Sequence, residues 1–352
     1  MKRQAVVFTT IGGLFLIALV SCGLDTIINS EGLDKTINSE DSTEMKLYEN
    51  TLMLQKSKFA YVCQLQKGNT SSSQIFICNF DGTDVHQLTN SPRGNFHPSW
   101  SPYGTKIVFT SRRDGNYEIY VMNADGSDQT RLTFDPADDL NPCWSPDGTR
   151  IAFQSQRNLA SVGKSQIFTM RPDGTDLRLI TQEQGIQPSW SPDGTRIVYV
   201  RSGIGIWIIN ADGTNKYKLT DGYDVNPAWS SDGTKIAFVS MRGGNMDSPS
   251  VWWVMNADGS MQRQITTDDS LPKPGQPAIG VPPCWSPDGQ KLIYFSYNVK
   301  EYNEVTGIDI TVKGIYAMDP DGTEILRLAP RIYTSGRYDL HFDIAWWAPK
   351  PN

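Results

Sequence analysis

The sequence predicts an all-β fold, a six-bladed β-propeller of four-stranded antiparallel blades, and three observations carry that expectation. The first is a repeated octapeptide: His97-Pro-Ser-Trp-Ser-Pro-Tyr-Gly, Asn141-Pro-Cys-Trp-Ser-Pro-Asp-Gly, Gln187-Pro-Ser-Trp-Ser-Pro-Asp-Gly, Asn226-Pro-Ala-Trp-Ser-Ser-Asp-Gly and Pro282-Pro-Cys-Trp-Ser-Pro-Asp-Gly, with a degenerate copy at Asp343-Ile-Ala-Trp-Trp-Ala-Pro. Trp100, Trp144, Trp190, Trp229, Trp285 and Trp346 are one structural position met six times, 39 to 61 residues apart, a period at or somewhat above that of propeller blades. The second is an Asp-Gly pair, a preferred hairpin signal, at Asp81, Asp125, Asp173, Asp212, Asp258 and Asp321. The third lies at the ends. The first unit has no Trp strand before Lys58, and the last Trp strand has almost nothing after it. The C-terminal strand is therefore expected to join the first blade and close the ring, which removes the exposed edges of a linear array.

In chain order, residues 1–21 read as an export signal. Lys2 and Arg3 form a positive start, and the uncharged run from Ala5 to Val20 is short for a membrane span but suits a signal core. Leu19-Val20-Ser21-Cys22 resembles the bacterial lipoprotein box, which implies that Cys22 is lipidated; the alternative is a plain secretory signal with an incidental Cys. Gly23 in place of Asp favours, by the same resemblance, the outer membrane. The expected membrane contact is the lipid anchor alone, since an acyl chain contributes about 0.8 kcal/mol per buried methylene. Residues 22–55 carry the near-duplicate Leu24-Asp-Thr-Ile-Ile-Asn-Ser-Glu-Gly and Leu33-Asp-Lys-Thr-Ile-Asn-Ser-Glu-Asp and read as a polar tether. The propeller is expected over 56–352.

Each repeat divides into four strands. In the second unit these are Phe96 to Ser101, Lys106 to Ser111, Tyr117 to Asn123 and Gln129 to Thr133. Ser145-Pro146-Asp147-Gly148 places Pro at the second turn position, where its fixed φ fits, and Gly last. Each repeated Trp is expected between neighbouring blades, where it buries roughly 150–250 Å², on the order of 4–6 kcal/mol as an upper figure.

The run Pro-x-Trp-Ser-Pro-Asp-Gly-x-x-Ile-x-Phe, followed by Ile-Tyr-x-Met-Asn-Ala-Asp-Gly and Arg-Leu-Thr, resembles the repeat of TolB-type propellers from about Lys58 to Trp347. The resemblance implies a non-enzymatic scaffold of the cell envelope that holds an envelope protein or peptide, a peptidoglycan-associated protein among the candidates. It departs from TolB in one respect. Only about 35 polar residues separate Cys22 from the first blade, where TolB has an α/β domain.

Function is expected where blades differ and where the central channel opens. Three residues before the repeated Trp stand His97, Asn141, Gln187, Asn226, Pro282 and Asp343, which should ring one mouth of the channel. Just past the second strands lie Arg112, Arg157, Arg201 and Arg242, and such a basic and amide-rich opening suits a carboxylate-bearing peptide. The competing role for these groups is to satisfy strand ends. Three long segments, Thr267 to Val281, Tyr297 to Lys313 and Pro330 to His341, border the same face. The opposite face gathers turn residues such as Asp147, Asp193, Asp232 and Asp288, read as Asp bonding their own backbone.

No catalytic residue, metal or cofactor is expected. The chain has three His, His86, His97 and His341, with no nucleophile motif or ligand spacing around them, although His97, His341 and Asp343 together imitate a metal site. Cys63 and Cys78 lie on adjacent strands, so a disulfide is conceivable, whereas Cys143 and Cys284 read as buried thiols. A net charge of −6, more acidic once Lys2 and Arg3 are removed, argues against general nucleic-acid binding. The alternative functions are a propeller lyase or hydrolase acting on glycans or peptides, and a sensor of a small ligand in the channel.

Overall fold

The computed structural model describes residues 5–11, 14–21, 24–28, 34–36, 57–67, 70–79, 83–157, 164–240, 242, 251–265, 283–286, 288–303, 308–323, 326–327 and 339–347. Two compact units divide the chain, residues 1–54 and a body from Gln55 onward. In the first unit, Ala5–Ile11, Leu14–Ser21, Leu24–Ile28 and Asp34–Thr36 form an antiparallel sheet in sequence order. Segments expected as leader and tether thus carry strands. Val6, Val7, Ile11, Ile17, Val20 and Ile27 are β-branched, and the Gly12-Gly13 and Cys22-Gly23 pairs separate paired residues Ile11 and Leu14, and Ser21 and Leu24.

The body is all-β among the described residues, with six four-stranded antiparallel sheets. Blade 1 combines Asp339–Trp347 with Lys58–Lys67, Thr70–Asn79 and His86–Gln87. Blade 2 runs Asn95–Trp100, Lys106–Ser111, Glu118–Asn123 and Thr130–Arg131, and blades 3 to 5 repeat it from Asp139, Ile186 and Asp224. Blade 6 begins at Cys284. The first strand of each blade packs beside the first strands of the blades on either side, including Asp339–Trp347 beside both Cys284–Trp285 and Asn95–Trp100. The Trp strands therefore surround the axis. The extended hairpin of blade 6, Leu292–Asn303 with Ile308–Met318, takes up most of Tyr297 to Lys313, a segment whose length reads in the sequence as a long loop. Residues 266–282 and 328–338, the bulk of the other two long segments, lie outside the described residues.

Trp side chains fill the gaps between blades. Trp144 packs with Val108, Ile119 and Leu132 of blade 2 and with Ile151, Phe153 and Met170 of blade 3. Trp100, Trp229 and Trp285 repeat the arrangement, each less than 10 % exposed. The Trp285 Nε1 donates to the Ala228 carbonyl of blade 5 at 3.0 Å.

The Asp-Gly turns are longer than two-residue hairpins. Gly126 N donates to the Asn123 carbonyl at 2.9 Å, so the turn is the four residues Asn123 to Gly126, closed by a left-handed glycine at φ 86°. Asp125 Oδ1 accepts from Ser127 N and Oγ. A second constraint holds the glycine. A Cβ at Gly126 would stand 3.0 Å from the Leu88 carbonyl of the preceding blade, and one at Gly174 would stand 2.8 Å from that of Leu132.

Candidate functional site

The channel mouth is built at a bulge. His97, Asn141, Gln187 and Asn226 all have φ between 51° and 54°, a region in which non-glycine residues are uncommon. Pairing to the second strand skips at each of them, between Phe96 and Ser99, Leu140 and Cys143, Ile186 and Ser189, and Val225 and Ala228. A bulge re-aims the side chain that it carries, and left-handed backbone of this kind persists only where its surroundings hold it.

The holding groups are amides passed from blade to blade. Gln154 Oε1 accepts from Asn141 Nδ2 at 2.8 Å and from the Gln187 backbone N at 3.0 Å. Gln187 Oε1 in turn accepts from the Asn226 backbone N at 2.9 Å. His97 Nδ1 lies 3.4 Å from Thr110 Oγ1. Asn226 is 6 % exposed, and its Nδ2 has no hydrogen-bond partner among the described residues. Pro282 of the fifth copy and the side chains of Asp343 and His341 lie outside the described residues, although a register shift between His341 and Ile344 places Asp343 at the corresponding bulge.

The arginines do not form one ring, because they occupy three different positions of the repeat. Arg157 and Arg242 stand two residues beyond Ser155 and Ser240; they pair with the fully buried carboxylates of Asp139 (2.7 Å) and Asp224 and cover the rings of Phe153, Phe168, Phe238 and Trp253. Their counterpart in blade 2 is Arg113, which donates to Asn95 Oδ1 at 3.0 Å. Arg201 is the last residue of its strand and lies over Trp207. Arg112 alone of the four is exposed at the surface, its guanidinium 5.3 Å from the Tyr117 ring centre. Strand-end satisfaction accounts for Arg157 and Arg242.

Loops on the mouth face also expose apolar side chains. Phe134 (72 %) and Tyr223 (58 %) precede the first strands of blades 3 and 5, and Ile204 (40 %) tips the second hairpin of blade 4. Strand polarity places all three on the face that holds the bulges.

The sequence profile of the TolB beta propeller domain (PD40) matches residues 52–205 and 184–315, more than half of the chain. The chain belongs to that family. Among solved structures, TolB from Acinetobacter baumannii is similar at 19 % identity and a TM-score of 0.67, covering 99 % of this chain and 82 % of its own. A putative TolB from Agrobacterium tumefaciens matches at 22 % identity and a TM-score of 0.56, over 78 % of this chain and 88 % of that one. An oligogalacturonate lyase from Vibrio parahaemolyticus matches at 12 % identity and a TM-score of 0.51, over 95 % and 88 %. Likenesses at these identities show the fold. No curated protein matches the sequence significantly.

Other groups of this TolB-type propeller serve its framework. Asp193 Oδ1 accepts from Ser191 Oγ and Thr195 N, and Asp147 and Asp232 repeat the pattern, which is the turn role read from sequence. Cys63 pairs in register with Gln74 and Cys78 with Phe59, so the two thiols are offset along their strands and form no disulfide with each other. Cys143 Sγ donates to the Pro188 carbonyl of the next blade at 3.1 Å, and burial pushes the thiol up to about 12. Among the described residues no group of three His, Cys, Asp or Glu is arranged to hold a metal.

Burial raises the Asp139 carboxyl to about 6, against hydrogen bonding from Ser155 and the charge of Arg157, with Glu118 adding to the rise. The folded state therefore keeps this proton longer than the unfolded chain, and stability falls as pH rises from about 4 through 6. Blade 2 has Asn95 at the same position, bonded to Arg113. Asp139→Asn is accordingly expected to keep the fold and to flatten the pH dependence of the urea midpoint across that window. An unchanged slope would assign it to other carboxylates.

Proposed function

We propose that this TolB-type propeller is a non-enzymatic scaffold of the cell envelope, binding a protein partner on the face that holds the channel mouth. One observation carries the reading. The four strained, amide-linked bulges share one face with the exposed Phe134, Ile204 and Tyr223, whereas Tyr103 and Met261, exposed on the opposite face, have no such bulges beside them among the described residues. Aromatic and apolar anchors beside polar groups are the composition of a protein-binding surface. Asn226 Nδ2 adds a buried donor at the mouth. The envelope location is carried by the family, and in this reading residues 1–21 are removed and Cys22 is acylated, which would also remove Ala5–Ile11 and Leu14–Ser21 from their sheet.

A photoreactive amino acid at residue 134 or 223 is expected to crosslink one envelope protein in living cells. The same group at residue 103 or 261, exposed on the opposite face, is expected to give none. Gln187→Ala, which releases the Asn226 backbone N from its partner, should lower the crosslinked yield by about tenfold, the scale of a buried donor left unpaired. Equal labelling from both faces would overturn the reading, as would turnover of a glycan or peptide that depends on His97.

A further inference from the structure

Adjacent arginines in blade 2 point to different tasks. Arg113 turns inward to Asn95, Ser111 and the rings of Phe109 and Tyr120. Arg112 stays outside, over Tyr117, whose ring meets Phe96 edge-on at 6.0 Å. Among the described residues no carboxylate pairs with Arg112, nor with the exposed Arg93, while Arg131 has two and Arg157 and Arg242 have one each. Arg93 and Arg112 line one pocket of about 470 Å³ between blades 1 and 2, together with Gln64, Ser71, Ser72 and Phe96.

The pocket is rich in donors. Gln64 Nε2 donates to Ser71 Oγ at 3.0 Å and Gln74 Nε2 donates to Ser72 Oγ at 2.9 Å, so both hydroxyl oxygens accept and both hydroxyl protons are free to point outward. Its lining contains no Asp or Glu. Its floor is fixed from below: Gln74, 1 % exposed, bonds the Ser91 carbonyl and N, Thr89 Oγ1 and Asn95 Nδ2, tying blade 1 to the loop that carries Arg93. The Arg112 backbone N donates to the Gly94 carbonyl, which ties the second arginine to the same loop. Gly94, at φ 89°, has no room for a Cβ, because Phe96 would lie within 2.9 Å of it.

We infer that this pocket binds a carboxylate of a peptide segment, the acid between Arg93 and Arg112 and a neighbouring apolar side chain against Phe96. Paired guanidinium groups match carboxylate geometry, and an aromatic wall suits the flank of a peptide better than a free anion. Phe96 adjoins His97, so the pocket continues the mouth face, and the inference rests on the partner reading above.

The test titrates the full chain, amide-labelled for NMR, with acetyl-Leu-Glu-Leu-amide, its Gln counterpart and galacturonate. The Glu peptide is expected to shift Ser71, Ser72 and Gly94, and the Gln peptide to bind about tenfold more weakly, as for loss of a charge-assisted bond. Arg93→Gln and Arg112→Gln should each weaken the Glu peptide similarly with unchanged melting. No shift with any probe overturns the site, and tighter binding of galacturonate than of the Glu peptide overturns the peptide assignment. Crosslinking from residue 134 that survives in the double arginine variant would leave the partner reading standing while excluding this pocket from it.

Discussion

A chain cut after residue 338 is expected not to form a stable propeller. The cut removes Asp339–Trp347, which pairs with the Lys58–Lys67 strand from Lys58 opposite Trp347 to Gln64 opposite Asp339. Phe59, Ala60, Tyr61 and Val62, all 2 % exposed or less, would lose their cover along one edge. Re-exposing large apolar side chains costs about 1.5–3 kcal/mol each, and a few of them exhaust the 5–15 kcal/mol typical of a whole domain. The bare edge would also template aggregation. Gel filtration should therefore show the truncated chain as aggregate, and a synthetic peptide of residues 339–350 should restore a soluble species by adding back the strand. A truncated chain that melts within a few degrees of the parent would show that the wheel does not depend on this join.

Trp229→Ala should be far more damaging than Trp190→Ala. Trp229 is 7 % exposed and packs between Val198, Ile206, Ile208 and Leu219 of blade 4 and Ile236, Phe238 and Met255 of blade 5. The Arg196 guanidinium lies 5.0 Å from its ring centre. Truncating such a side chain costs about 3–5 kcal/mol, with up to about 1 kcal/mol more from the lost cation–π contact. Trp190 is only half-buried against its cluster and should cost less. Urea unfolding measures both, and equal midpoints would contradict the role of Trp229 as filler between two sheets.

Much of the wheel was legible because its signals are local. Trp, Pro and Gly at fixed offsets mark strands and turns whose chemistry acts within a few residues, and six copies average out the irregular ones. The bulges were hidden by a misleading neighbour. His97, Asn141, Gln187 and Asn226 each precede a Pro, a context that favours extended backbone, yet each is left-handed. The arginines misled for a different reason: Arg201, Arg112 and Arg157 stand at a strand end, one residue past it and two residues past it, and that change of phase turns one outward and another inward. The Arg93 pocket had no sequence signature, since its walls come from different blades. The Gly126 and Gly174 contacts were legible only as turns, because the carbonyl that excludes a larger residue belongs to the previous repeat.

Those glycines separate what can vary from what cannot. A methyl group at residue 174 would push against the Leu132 carbonyl, and in a closed circle no end is free to absorb the displacement, so the strain would travel around the rim. Repeat length, by contrast, changes from 39 to 61 residues between successive tryptophans. Segments grafted into the connections of the mouth side should thus be carried as cargo, while a single added carbon on the other side is felt by the entire molecule.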